Sequence, residues 1–197
     1  YREMEKHEQA LADFDRAIEL APNYPWALAR RGESHRMAGS FDRALRDLGA
    51  AIEQAPEDSY AYASRGQVFN QLGDYDRAVA DFDRAIALDP YFALAYSGLA
   101  DSYFVMLPSR GRKVEDVLLK GKDAALKALA LDGSLAEVHA SLASVYAYEW
   151  DYAEAEKEFR RALELNPNYP TGHHWYANLL AVMGRMDESL AEMKRAL

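Results

Sequence analysis

Along most of the chain, apolar residues recur at i, i+3, i+4 and i+7, with charged residues filling the positions between. That spacing puts the apolar set on one face of a 3.6-residue helix and does not fit the two-residue alternation of a strand. Prolines at positions 22, 56, 90 and 167 interrupt the pattern, as do the turns Gly39-Ser40, Gly73-Asp74 and Gly184-Arg185. Proline ends a helix because its ring cannot continue the hydrogen-bond ladder. Ser40, Asp74, Asp151 and the Arg185–Asp187 stretch fall where helix N-caps belong, and Asp151-Tyr-Ala-Glu154 has the form of a capping box with Asp in the Ser/Thr place. The prediction is a chain of helices joined by short turns.

The helices repeat. "ADFDRAIEL" at Ala12–Leu20 returns as "ADFDRAIAL" at Ala80–Leu88, 68 positions later, and half that interval also holds. Phe14/Ala17/Pro22, Leu48/Ala51/Pro56 and Phe82/Ala85/Pro90 are spaced by 34, and Phe159/Ala162/Pro167 repeats the set. A small residue with a larger one three positions on precedes the later sets: Gly32/His35, Gly66/Phe69, Ala100/Tyr103 and Ala143/Tyr146, with Ala177/Leu180 after them. Two helices that cross closely need small residues at the crossing, here Gly66, Ala78 and Ala85, and larger rings such as Phe69 and Phe82 beside it. One such hairpin cannot bury its own apolar face, whereas stacked neighbours share a continuous core.

A 34-residue helix-turn-helix unit with this small-residue and proline spacing resembles the tetratricopeptide repeat (TPR). The unit from Ser59 to Phe92 fills the family's eight signature places with Tyr62, Arg65, Gly66, Phe69, Ala78, Phe82, Ala85 and Pro90. The resemblance implies an all-α, right-handed superhelical solenoid of tandem repeats covering residues 1–197. The expected units are a partial 1–24, then 25–58, 59–92, 93–135, 136–169 and a truncated 170–197. The unit at 93–135 departs from the pattern: Ala100 to Ala128 is 28 positions where Gly66 to Ala85 is 19, an insertion of about nine residues, and Gly133 stands in place of proline. The stretch "WDYAEAEKEFRRALELNPNYPTGHHWYANLLAVMGR" is similar to repeat arrays attached to bacterial winged-helix regulators and nucleotide-cyclase-type signalling proteins.

The resemblance also implies a non-catalytic scaffold that binds a partner peptide or domain in a concave groove lined by the first helix of each unit. Transferred position by position, the groove residues include Trp26, Arg30, Glu33, Tyr60, Gln67, Asn70, Asp101, Phe104, Tyr148, His174, Trp175 and Asn178. Exposed aromatics give rigid contact area at low entropy cost. Packing of Trp26, Tyr60 and Trp175 against the neighbouring unit is the alternative, and both readings stand at this point. The family's clamp for acidic chaperone C-termini is not matched. Its places hold Ala29, Glu33, Ser64, Leu94 and Gly98, without one cation, and a carboxylate there would meet Glu33.

Composition removes other classes. There is no Gly-rich phosphate loop, no H-E-x-x-H and no Cys, so catalytic residues and a cofactor are not expected. His35 and His139 sit at packing positions. His173 and His174, being consecutive, point to different sides of a helix, so no metal site is expected either. Acid pairs such as Asp13/Asp15 and Asp81/Asp83 read as a solvated face. A net charge of −9 argues against nucleic acid as a partner, and no apolar run approaches a membrane span. One segment reverses the sign: between Arg110 and Lys127 six basic residues face three acidic ones, and Arg110, Arg112 and Lys113 form a candidate secondary docking loop or simply a solvated one. The chain opens within a helical pattern without Met, which reads as part of a longer protein; the expected location is cytoplasmic, with which the absence of Cys is compatible. The rival reading is an assembly module that self-associates through uncapped solenoid ends.

Overall fold

The computed structural model describes residues 2–106 and 113–196. Among the described residues every regular element is an α-helix, eleven in all. They are α1 (Arg2–Leu20), α2 (Pro25–Met37), α3 (Phe41–Gln54), α4 (Ser59–Leu72), α5 (Tyr75–Leu88), α6 (Ala93–Met106), α7 (Val114–Leu131), α8 (Ala136–Tyr148), α9 (Tyr152–Leu165), α10 (Pro170–Val182) and α11 (Met186–Arg195). The architecture is the all-α helical-repeat solenoid that the spacing predicts. The chain divides into two compact units, Tyr1–Pro90 and Tyr91–Leu197. In the first, α2 packs on α3 and α4 on α5 as hairpins, joined through α3 on α4 and α2 on α4, with α1 against α2. In the second, α6/α7, α8/α9 and α10/α11 form the hairpins, and the first helices α6, α8 and α10 pack side by side in that order.

The crossings are as tight as the small residues demand. Ala44, Ala51, Ala78, Ala85, Ala155 and Ala162 are fully buried, beside Leu48, Phe82 and Phe159. A Cβ on Gly66 would stand 3.0 Å from Phe82 Cζ, and one on Gly32 would stand 2.7 Å from Leu48 Cγ. Helices α1, α3, α5 and α9 each stop two residues before their proline, and α7 stops two before Gly133. Gly39, Gly73 and Gly184 turn the chain between hairpin arms at φ 70°, 77° and 78°. In the α8–α9 turn the same place holds Trp150 at φ 63°.

The caps are partly as expected. Asp74 and Asp151 accept hydrogen bonds from the N–H groups of Arg77 and Glu154, and Asp58 caps α4 the same way. Ser40 and Arg185 stand at N-cap positions without a side-chain cap bond. The Arg185 guanidinium is drawn instead to Glu188 and Glu156. The capping box at Asp151 is half formed, because Glu154 pairs with Lys157 and the Asp151 N–H already donates to the Tyr146 carbonyl. The insertion has two parts: α7 has 18 residues against 14 in α5, and seven residues (107–113) separate α6 from α7 where two (73–74) separate α4 from α5. Four extra residues in α7 and five more positions between the ends of α6 and α7 make the nine.

Two kinds of polar clamp pin first helix to second. In the first unit Arg31 grips Asp47 through two 2.7 Å bonds and also bonds Asp15, while Arg65 grips Asp81 at 2.7 and 2.8 Å. In the second, His139 bonds Glu158 at 2.5 Å and the Gly133 carbonyl at 2.9 Å, and His173 bonds Glu192 at 2.6 Å and the Pro167 carbonyl at 2.9 Å. Asp81 is therefore a clamp residue and not a member of a solvated face, whereas Asp15 stays on one: it bonds Arg31 with its side chain exposed. Asp81 is 6% exposed, because a bidentate guanidinium replaces the water it gives up.

Candidate functional site

The candidate residues lie on the face made by the first helices, and each unit has its own version. In the first unit α2 and α4 are adjacent. Arg30 of α2 lies over the Tyr60 ring of α4, with its guanidinium carbon 3.9 Å from the ring centroid, and 5.7 Å from that of Trp26. Trp26 is half exposed, stacked on Tyr24 and edge-on to Phe14. Arg30 differs from its chain neighbour. Arg31 is locked to two aspartates, whereas among the described residues no carboxylate pairs with Arg30, and its buried Nε lacks a hydrogen-bond partner. The ring beneath supplies a cation–π contact in place of an acid. Burial, aided by the Glu33 charge, raises the Tyr60 phenol above its ordinary value, and Arg30 offsets part of the effect. Glu33 itself is spoken for by Arg36, through bonds of 2.9 and 2.7 Å. Gln67 and Asn70 follow on the same helix as Tyr60, both half-buried.

In the second unit the first helices are less basic. Asp101 of α6 accepts a 2.5 Å hydrogen bond from Ser141 of α8, whose hydroxyl also lies 3.0 Å from that of Ser97. Desolvation pushes the Asp101 carboxyl up to about 7 against the Ser141 hydrogen bond, with the Glu137 charge adding to the rise. Phe104 is buried and stacked on the half-exposed Tyr148 with centroids 6.0 Å apart, so it forms the floor and Tyr148 the open surface. A Cβ on Gly121 of α7 would stand 3.0 Å from Phe104 Cζ, which explains why that ring lies flat in the helix crossing. On α10, His174 and Asn178 are exposed, and Trp175 is half-buried against the core cluster around Phe159 and Leu180. The consecutive histidines do diverge: His173 is 3% exposed and clamped, His174 faces out.

The structure thus brings Trp26, Arg30 and Tyr60 together, and separately Asp101, Phe104 and Tyr148. Glu33 is engaged in a local ion pair. Arg110 and Arg112 lie outside the described residues; Lys113 is exposed just before α7. Missed from the sequence were the interhelix clamps. Their signal was available, since Arg31/Asp47 recurs as Arg65/Asp81 and His139/Glu158 as His173/Glu192 at the same 34-residue interval. Among the described residues no cluster of His, Cys, Asp and Glu could hold a metal ion, and no helix is long and apolar enough to cross a membrane. A pocket of about 450 Å³ lies between α9, α10 and α11, lined in part by Arg160, Glu188 and Arg195. Each of these is already ion-paired.

Tetratricopeptide-repeat profiles match residues 1–45, 30–93 and 136–169. The chain belongs to the tetratricopeptide-repeat family. No curated protein matches it. Among solved structures, a thermophilic TPR protein of Thermus thermophilus superimposes with TM-score 0.78 at 24% identity, covering 88% of this chain and 90% of that one. A chain of the APC/C hetero-tetramer Cut9–Hcn1 gives TM-score 0.80 at 15% identity over 97% of this chain and 36% of that one. YrrB, a TPR protein with an unusual peptide-binding site, gives TM-score 0.57 at 17% identity over 93% and 90%. At these identities the likeness is one of fold.

Proposed function

We propose that this protein is a non-catalytic interaction scaffold whose first helices bind a peptide or domain of a partner protein. The observation that carries the reading is the contrast between the two adjacent arginines of α2. Arg31 does structural work, gripping Asp47 and Asp15. Arg30 lies over the Tyr60 ring with Trp26 nearby, and among the described residues no acid pairs with it, an arrangement that leaves a positioned charge for something else. A stacked, pre-ordered guanidinium loses little freedom on binding, which favours affinity. Around it, Tyr60 and Trp26 supply contact area and Gln67 and Asn70 hydrogen bonds that set orientation; in the second unit, Trp175 and Asn178 of α10 take the same parts on its own first-helix face. YrrB, a solenoid of like fold with a peptide-binding site, supports the same reading by analogy. A place as the docking module of a larger bacterial regulatory protein is in keeping with the resemblance of its second half.

The test is a peptide array probed with the wild-type chain and with Tyr60→Ala, Asn70→Ala and Trp175→Ala. The expected result is a defined set of bound peptides that each variant weakens. Unchanged binding in all three variants removes the first-helix face as the binding surface.

A further inference from the structure

The second unit places three features on its first helices that together specify a kind of partner. The first is a row of apolar residues. Val105, Tyr148 and Val182 hold the same repeat position at the C-terminal ends of α6, α8 and α10, and they are 42%, 44% and 67% exposed. The second is charge. Asp101 and Glu137 are half-buried carboxylates, and among the described residues neither has a cation in ion-pair range. The other glutamates held between helices of this unit are paired: half-buried Glu156 with Arg185, half-buried Glu158 with His139, and buried Glu192 with His173. Uncompensated carboxylates out of water are costly unless something neutralises them. Asp101 takes its hydrogen bond from the neutral hydroxyl of Ser141, with Ser97 at one remove.

The third feature is strain. Trp150 takes the left-handed turn position that glycine fills at 39, 73 and 184, yet it is 78% exposed. A bulky side chain at positive φ is strained, and an exposed ring recovers little of that strain by packing within the chain. It contacts only Tyr152 among the described aromatics. A backbone outlier that burial does not repay points to use elsewhere. Trp150 lies two residues past Tyr148, at the same end of α8 as the apolar row.

We propose that the face made by α6, α8 and α10 binds an amphipathic segment that sets Lys or Arg against Asp101 and Glu137 and apolar side chains against Val105, Tyr148, Val182 and Trp150. This rests on the scaffold reading above and narrows it to a cationic, apolar partner segment for the second unit. Three helices packed ~8–10 Å apart offer a face about 20 Å wide, which a helical segment of about 14 residues crosses. The apolar row gives affinity, and the carboxylates select against acidic segments, since like charges brought together there repel.

The probe is a fluorescein-labelled 14-residue Leu/Lys amphipathic peptide, compared with versions carrying Glu or Gln in place of every Lys. Anisotropy titration of the full chain is run on wild type, Asp101→Asn, Glu137→Gln, Trp150→Gly and Asp123→Asn. The last removes one charge from the exposed side of α7 and controls for net charge. The Lys peptide is expected to bind tightest, with about five- to tenfold loss in Asp101→Asn and Glu137→Gln and less than twofold in Asp123→Asn. Trp150→Gly is expected to weaken binding while raising the melting temperature, so loss of fold cannot explain the loss of affinity. Equal losses in Asp101→Asn and Asp123→Asn overturn the proposal by reducing it to bulk charge. Preferential binding of the Gln or Glu peptide overturns the cation preference and leaves the scaffold reading intact. No binding of any of the three peptides, alongside array peptides that do bind through Tyr60, overturns the second-unit site alone.

Discussion

Asp101 shows how one half-buried acid ties the site to pH. Its carboxyl is pushed up to about 7, chiefly by desolvation, from an ordinary value of 3.8. Between those values the folded chain holds a proton that the unfolded chain has released, so this residue makes stability fall as pH rises from about 4 to about 7. Asp101→Asn removes that dependence and keeps an acceptor for Ser141. Chemical denaturation is therefore expected to show the variant's advantage over wild type larger at pH 8 than at pH 5; an equal difference at both values rules out the desolvated carboxylate as its source. His173 is the opposite kind of residue. Both its ring nitrogens face acceptors, Glu192 and the Pro167 carbonyl, and His173 and Glu192 are buried. Replacing it by Phe leaves Glu192 only its exposed partner Arg195 and the Pro167 carbonyl without its donor, and is expected to cost about 2–3 kcal/mol in urea unfolding. The exposed neighbour His174→Phe is expected to stay within about 0.5 kcal/mol.

At the scale of the element, backbone and packing decide which substitutions a helix accepts. Gly49, in α3, has open space where a Cβ would stand, with nothing within 4 Å, so Gly49→Ala is expected to add about 0.5–1 kcal/mol through helix propensity alone. Gly32→Ala drives a methyl to 2.7 Å from Leu48 Cγ and 3.3 Å from the Ala44 carbonyl, and is expected to cost about 1–3 kcal/mol. Thermal melts of the pair check both signs at once. The helices themselves were legible because their demands are local and repeated: a proline two residues past α1, α3, α5 and α9, alanines at the crossings, and a glycine in three of the hairpin turns. The capping box at Asp151 misled because a capping pattern cannot show that Lys157 competes for Glu154 and that Tyr146 already satisfies the Asp151 N–H. Asp81 misled for a related reason. Its partner Arg65 is sixteen residues away, across a turn, and only folding brings the two together.

At the scale of the whole molecule, repetition and divergence divide the labour. The second helices "ADFDRAIEL" and "ADFDRAIAL" stay alike because Phe14/Ala17 and Phe82/Ala85 meet the same packing requirement. The first helices are free to differ. Arg30 on its aromatic platform in the first unit and the Asp101–Glu137 pair in the second carry opposite charge on corresponding faces. Position along the repeat was enough to nominate those residues. Which of them is open and which is floor was not legible, because Phe104 and Tyr148 have the same aromatic character and only the crossing at Gly121 sends one inward. The central claim is that the first helices bind the partner. Amide chemical-shift mapping on the ¹⁵N-labelled chain, titrated with the tightest peptide from the array, reads this directly. Shifts concentrated on α2 and α4 around Tyr60 and Asn70, or on α6, α8 and α10 around Tyr148 and Trp175, are the predicted result. Shifts concentrated on α3, α5, α7, α9 and α11 place the binding surface on the second helices and refute it.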